Sequence, residues 1–470
     1  MGALILTLVK IDSRSTLFLK FFSLFFAIVP FILSIIACIK FDYNRVGFQL
    51  VSSIVKNVEL GVDGISLLFL LLTTFLFFIC ALYNCKMNYM PLKAYIALFL
   101  VLESFVIGFF VSLNAIGFYV FFEAVLIPMF FIIGIWGGTR RVYAGFKLFL
   151  YTLVGSLLFL LGLAYIYNIY GTFNIQELTE LMPSLDLRTQ LLLWIAFFFS
   201  FAIKIPMFPF HTWLPDVHVE SPTSGSVILA GLLIKMGGYG FLRFSIPMLP
   251  DASFYFSNFV TVLSAIAVIY ISLIVFVQND IKKLIAYASI AHMGIVTAGL
   301  FSLCEEGILG ATFQMVSHGL ISAALFFCVG MLYSRTETLE VSRYFGIVNA
   351  MPKFSFMFVL FSMASIGLPG TSGFIGEFLA MIGIFKNIGF FTGFVTFGTI
   401  LSAVYMLNLC RKIIWGPGYF ELLNDNLDCI ESSILTLLAI SIIILGFYPS
   451  FVLNFLKLCT ADLLVKYKVL

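Results

Sequence analysis

Runs of about twenty apolar residues, each closed by a short polar connector, recur along almost the whole of this chain. A helix needs roughly 20 such residues to cross the hydrocarbon core of a bilayer. Run length and flanking charge therefore set thirteen spans, at 17–40, 60–84, 91–111, 113–135, 144–170, 190–211, 222–248, 254–278, 284–303, 307–333, 352–384, 388–414 and 431–458. Gly2 to Val9 is apolar but too short to cross, so the first helix is expected to be truncated, misassigned at its start or peripheral. Counting it gives about 14 helices. The connectors leave no room for a water-soluble domain, so residues 1–470 are expected to form a single transmembrane domain, an all-α polytopic membrane protein.

Composition agrees: 62% of the residues are hydrophobic and 10% charged, which excludes the soluble globular classes. A net charge of +3 without any Lys/Arg-rich run argues against nucleic acid as a partner. The eight cysteines are scattered, mostly inside apolar runs, and read as small packing residues rather than a disulfide framework, a zinc site or an iron–sulfur site. The N-terminus, with Lys10 and Arg14 after its first apolar residues and a full span next, does not read as a removable targeting segment.

Charge alternates between connectors. Lys10 and Arg14, Lys86 and Lys93, Arg140 and Arg141, Lys282 and Lys283, Arg335, Arg343 and Lys353, and Arg411 and Lys412 fall on loops of one parity. Glu177, Glu180, Asp186, Asp251, Glu305 and Glu306 fall on the other. The positive-inside rule puts the basic set in the cytoplasm or matrix and both chain ends opposite.

Two spans carry interruptions. Pro206 and Pro209 follow Lys204, and Gly367, Pro369, Gly370 and Gly373 precede Glu377. Proline removes a backbone donor and clashes with the preceding turn. Irregular backbone at membrane depth is tolerated only where it lines protein or water, and matching breaks in two halves of a transporter point to an ion path. Residues 91–248 and 254–414 are then expected to be two five-helix repeats.

The charges inside the spans are few and costly, since an Asp, Lys or Arg at the centre of a membrane helix costs roughly 2.5–3.5 kcal/mol on insertion scales. Glu123 lies within GFYVFFEAVLIPMFFIIG, a helix with no polar face, so it must point into the bundle, as a functional carboxylate or as a structural partner for a lysine. Glu103, in FLVLESFVIGF, follows the same logic. Lys204 and Lys235 are open to two readings, a static or snorkelling lysine and a proton relay, in which a buried lysine changes protonation as its carboxylate partner moves. His292 and His318 stand alone in apolar helices, either as satisfied core residues or as relay members able to pass a proton between their two nitrogens. Glu377 is expected to pair with no lysine of its own helix, which suits a terminal site opening to the far side. His211, Asp216, His218 and Glu220 occupy a short linker where gating, capping and loop structure are equally open. Lys147, Arg243, Asp280, Lys282 and Lys283 lie near span ends and read as anchors, except that Asp280 could order the adjacent lysines. The sequence contains no GxGxxG after a strand, no Walker loop, no HExxH and no nucleophile elbow.

Five stretches then carry a resemblance: FFEAVLIPMFFIIGIWGG, FAIKIPMFPFHTWLPDVHVESPTSGSVILAGLLIKMGGYGFLRF, QNDIKKLIAYASIAHMG, QMVSHGLISAALFF and GLPGTSGFIGEF. Together, and in this order, they resemble the M-type (subunit 4) family of proton-pumping NADH:quinone oxidoreductase, respiratory complex I, over residues 60–460. The resemblance implies an antiporter-like fold of 14 helices with two inverted five-helix repeats. It implies that Glu123 modulates Lys204, that Lys235 is the central link, that His292 and His318 extend a hydrated axis, and that Glu377 lies near the far-side exit. It further implies that NADH, FMN, iron–sulfur clusters and quinone belong to other subunits, with no cofactor in this chain. Its partners would be the other membrane subunits, neighbouring antiporter-like subunits among them, in a bacterial or mitochondrial inner membrane. The first span, cut to about eight residues, departs from the family pattern. Two other readings remain: a subunit of a multisubunit cation/proton antiporter, against which GIWGG and GTSGFIGEF weigh, and a structural scaffold with static ion pairs.

Overall fold

In lipid every backbone donor and acceptor must be satisfied within the chain, so apolar runs of this length become helices. The computed structural model describes residues 2–8, 16–55, 58–86, 91–415 and 427–465. Among them, twelve helices are long and apolar enough to cross a membrane. The interrupted pair Pro352–Ile366 and the start of Ser372–Ile413 makes a thirteenth crossing. The short helix Gly2–Leu8 adds a fourteenth element and packs Leu6 against Leu19, Leu92 and Ile96.

The helices sort by what surrounds them. Thr223–Met248 and Glu305–Thr336 are enclosed by other helices, whereas Thr16–Lys40 faces outward along most of its length. The two enclosed helices cross where both lack a side chain: a Cβ on Gly319 would lie 3.0 Å from the Gly231 carbonyl oxygen. Small residues at such a crossing let the backbones approach. The approach also brings Lys235, one turn beyond Gly231, against His318, the residue before Gly319.

Both expected interruptions are present. Leu187–Lys204 ends at Lys204, and the chain resumes helix at Trp213–Glu220. The indole of Trp213 donates to the Ile203 carbonyl at 2.9 Å, covering an acceptor left at the helix end. Pro352–Ile366 ends at Gly367, which takes the left-handed conformation (φ +83°) a helix terminus favours.

Several details differ from the sequence reading. The stretch 213–225, expected as a linker, is largely helical, with Trp213–Glu220 followed by the start of Thr223–Ile228. A further break splits the 113–135 span into Ala115–Ala124 and Leu126–Trp136 just after Glu123. Its cause is Pro128, which cannot donate to the Ala124 carbonyl four residues back. The expected span 431–458 is two helices, Cys429–Phe447 and Ser450–Val465, parted at Pro449. The fold is also not purely helical. Gln49–Val55 and Val58–Val62 pair as an antiparallel hairpin before the helix Gly64–Lys86, in a stretch whose valines and isoleucine favour strand.

The spans expected at 352–384 and 388–414 meet in one helical run, Ser372–Ile413, yet that run doubles back. Thr396 Oγ1 lies 3.7 Å from Met381 Sδ, where a straight helix would separate residues fifteen apart by about 22 Å. Ala380, Ile384 and Val395 accordingly share one apolar cluster with Ala265, Val268 and Ile295.

Candidate functional site

At the crossing of the enclosed helices, the fully buried Lys235 sits between two π-helical segments, Leu229–Leu233 and Phe241–Ser245. Such i→i+5 turns are rare and often mark functional sites. The Lys235 ammonium reaches back to the Ala230 carbonyl within the first of them. It also lies 2.8 Å from His318 Nδ1.

From His318 the buried polar groups continue. The His292 ring centroid is 5.6 Å from that of His318. Both rings border a small void of about 10 Å³, lined otherwise mostly by apolar side chains with Ser289, Ser322 and Ser365 among them. His292 Nδ1 lies 2.8 Å from Glu377 Oε1, which also accepts from Gln314 Nε2 at 3.0 Å. Residues from four helices, far apart in sequence, thus form the series Lys235, His318, His292, Glu377.

Lys204 and Glu123 form a second, unclosed group. Lys204 Nζ is buried without a hydrogen-bond partner and lies 4.6 Å from the centre of the Phe122 ring. Glu123 Oε1 is likewise buried and unpartnered. The two stand close enough for each charge to act on the other, but they do not touch. Glu103 is buried with Oε1 unpartnered, and among the described residues no hydrogen bond joins its side chain to either group.

This arrangement can be set beside known proteins. Residues 112–402 match the profile of the family described as NADH:quinone oxidoreductase/Mrp antiporter, TM. NADH-quinone oxidoreductase subunit M of Rhodobacter capsulatus is 46% identical, over 95% of this chain and 91% of its own length. The chain belongs to that family. NADH-ubiquinone oxidoreductase chain 4 of Marchantia polymorpha, another relative, is 45% identical over 98% of this chain and 94% of its own. A chain of respiratory complex I from Thermus thermophilus, solved with bound NADH, superposes with a TM-score of 0.87 at 29% identity, covering 98% of this chain and 97% of that one. The Mrp complex from Dietzia sp. DQ12-45-1b has the same fold, at a TM-score of 0.87 and 18% identity over 100% of this chain and 96% of that one.

Within this family fold, several residues lie where the sequence did not place them. Arg243 is not an interfacial anchor. It is buried, bonded to Asp63 and to the Tyr239 hydroxyl, with Phe48 packed on its guanidinium. Burial alone would raise the Asp63 pKa, but Arg243 and the Ser66 hydrogen bonds hold it below the usual carboxylate value. Lys282 is buried too, donating to the Ser221 carbonyl at 2.8 Å, while Lys147 pairs with Asp216 at 2.5 Å. Glu220 accepts from the Arg140 amide at 2.8 Å, and His218 stacks on Phe326 with neither ring nitrogen bonded. Gln314 and Ser365, which touch Glu377 and His292, were not singled out in the sequence, because neutral polar residues are frequent in helix packing.

Proposed function

We propose that this chain is a proton-translocating membrane subunit of NADH:quinone oxidoreductase, seated in the energy-transducing inner membrane beside other membrane subunits of the complex. Proton movement follows the series Lys235, His318, His292 and Glu377, with Lys204 and Glu123 as its switch. The oxidation of NADH and the reduction of quinone, with their flavin and iron–sulfur centres, take place in other subunits, and this chain takes no cofactor. Among the described residues no three His, Cys, Asp or Glu side chains converge as metal ligands. Residues 91–248 and 254–414 act as two inverted five-helix repeats. In support, each contains a helix broken beside a charged residue, at Lys204 and ahead of Glu377.

The observation that carries this reading is the pair of 2.8 Å contacts at the two ends of the histidine pair, Lys235 to His318 and His292 to Glu377. Protonated Lys235 gives a proton to neutral His318 at Nδ1, and His318 releases one from Nε2, so charge moves along while each ring returns to neutral. The proton then crosses to His292, whose ring centroid is 5.6 Å from that of His318. His292 then donates from Nδ1 to the Glu377 carboxylate. Lys204 and Glu123, near but apart, attract when both are charged and lose that attraction when either is neutral, which makes their spacing responsive to protonation.

The test is proton translocation per NADH oxidised in membrane vesicles carrying the assembled complex. Glu377→Gln and Lys235→Ala are expected to lower that ratio. An unchanged ratio at unchanged assembly would remove the relay. The scaffold reading makes the opposite forecast, with assembly impaired on a native gel and translocation per turnover intact.

A further inference from the structure

At the end of the bundle that carries Arg411 and Lys412, a cleft of about 540 Å³ opens between two walls. One wall is the loop after Glu305–Thr336, fixed by hydrogen bonds from Ile281 N to Leu339 O at 2.9 Å and from Val341 N to Asn279 O at 2.8 Å. The other is the end of the Ser372–Ile413 run. Ser342, Tyr344, Arg411, Lys412 and Trp415 line the space.

Among the described residues the acids beside the cleft are already engaged, Asp280 accepting from the Lys283 amide at 2.9 Å. Glu340 is engaged by Arg343 at 3.0 Å and by the Ser342 hydroxyl at 2.7 Å. Arg411 bonds only the Asn408 side chain, and neither Arg411 nor Lys412 forms an ion pair among the described residues. Basic residues at a helix end complement its dipole and anchor it at the membrane surface. That role needs no concavity, and here the two cations line a recess with a tyrosine and a 56% exposed tryptophan, residues suited to headgroup depth.

An apolar track leads from the cleft toward the bilayer. Val277, 77% exposed, ends the helix Pro250–Val277 two residues before Asn279, with Leu273 exposed one turn deeper. On the facing helix, Val404 and Leu407 are exposed one to two turns from Arg411. The Phe276 and Tyr405 rings, 6.1 Å apart, hold these two helices together.

We propose that this cleft binds the phosphodiester headgroup of an anionic phospholipid, whose acyl chains lie along Leu273, Val277, Val404 and Leu407. A guanidinium fork and an ammonium are the side chains that recognise phosphate oxygens. Basic pockets between membrane helices on the cytoplasmic or matrix side take such lipids.

The experiment uses the purified, delipidated complex and native mass spectrometry, titrating phosphatidylglycerol, phosphatidylcholine or inorganic phosphate. Phosphatidylglycerol is expected to fill one site that R411Q/K412Q binds roughly thirtyfold more weakly, at about a kilocalorie per lost cation. Phosphatidylcholine binding is expected to be equal in both. Trp415→Ala, which leaves the charge intact, should weaken phosphatidylglycerol less than the double variant. Equal phosphatidylglycerol affinity in wild type and R411Q/K412Q overturns the proposal. Displacement by inorganic phosphate at concentrations matching the lipid makes the cleft a free-anion site and also overturns it. Loss of a neighbouring subunit from R411Q/K412Q, with lipid count unchanged, makes it a protein interface instead.

Discussion

A lysine buried with no hydrogen-bond partner is costly to a fold, because desolvating the ammonium costs several kcal/mol that a ring contact and an unclosed ion pair return only in part. Lys204 is such a residue, and its cost is the physical argument for a working role. Replacing both members of the pair, Lys204→Met together with Glu123→Leu, in the assembled complex is therefore expected to leave thermal stability unchanged or raise it by ~1–4 kcal/mol, as for buried ion pairs replaced by apolar residues. Proton translocation per NADH should fall at the same time. A complex that unfolds more readily, with its pumping ratio intact, would make the pair structural. His318→Asn separates geometry from chemistry along the axis. The amide keeps a hydrogen-bonding atom near the Nδ1 position facing Lys235 but has no second ring nitrogen, so transfer through the axis should slow on the order of a hundredfold while assembly on a native gel is unchanged. At this scale the sequence was informative wherever charge stood at membrane depth. Glu103, Glu123, Lys204, Lys235, His292, His318 and Glu377 were all visible as expensive residues, and all lie buried or nearly so. What could not be read was pairing: His292 meets Glu377 85 residues on, and Arg243 meets Asp63 180 residues back. Arg243 passed for an anchor because its partner was hidden by that separation.

Elements place these residues, and the enclosed pair of helices does so through a glycine crossing. A Cβ on Gly319 would sit 2.9 Å from Leu72 Cδ2 and 3.0 Å from the Gly231 carbonyl oxygen. The leucine can rotate away, whereas the backbone carbonyl cannot. Gly319→Val is expected to cost ~1–3 kcal/mol as overpacking and to push His318 away from Lys235. Translocation should be lost, and adding Leu72→Ala should not restore it. Full recovery with Leu72→Ala would place the constraint in the side chain alone. The proline and glycine breaks were legible because they act locally, removing a donor or permitting a left-handed turn. Pro128 had the same local signature, and its break after Glu123 was overlooked inside an otherwise uniform apolar run. The π segments around Lys235 were not legible, since an i→i+5 turn in an apolar helix answers to tertiary contacts that composition does not record. The hairpin at 49–62 was missed for a related reason: strand preference in a short stretch between two long helices is a weak signal beside theirs.

Across the whole molecule, the alternation of basic and acidic connectors anticipated which helix ends lie together. Lys86, at the end of Gly64–Lys86, and Arg335, near the end of Glu305–Thr336, converge on Glu431 at the start of Cys429–Phe447, at 2.7 and 2.6 Å. Asp428 joins at 2.5 Å from Lys86, and its pKa is held low by that hydrogen bond and charge. Stability from Asp428 is therefore present above the usual carboxylate range and lost as pH falls through its lowered value. Glu431 carries more, because it is fully buried, pairs with both cations and closes the capping box of its own helix. It ties the helices nearest the C-terminus to the enclosed centre of the bundle. Removing the carboxylate leaves Arg335 without its carboxylate partner and Lys86 with Asp428 alone, a loss of about 3–5 kcal/mol for a broken buried pair. Glu431→Ala should then expose the region after residue 427 to proteolysis in the purified complex. Adding Lys86→Met and Arg335→Met should restore much of the protection, since no stranded charge remains. If the triple variant is cleaved as fast as Glu431→Ala alone, the helix cap rather than the charge cluster holds this end of the bundle together.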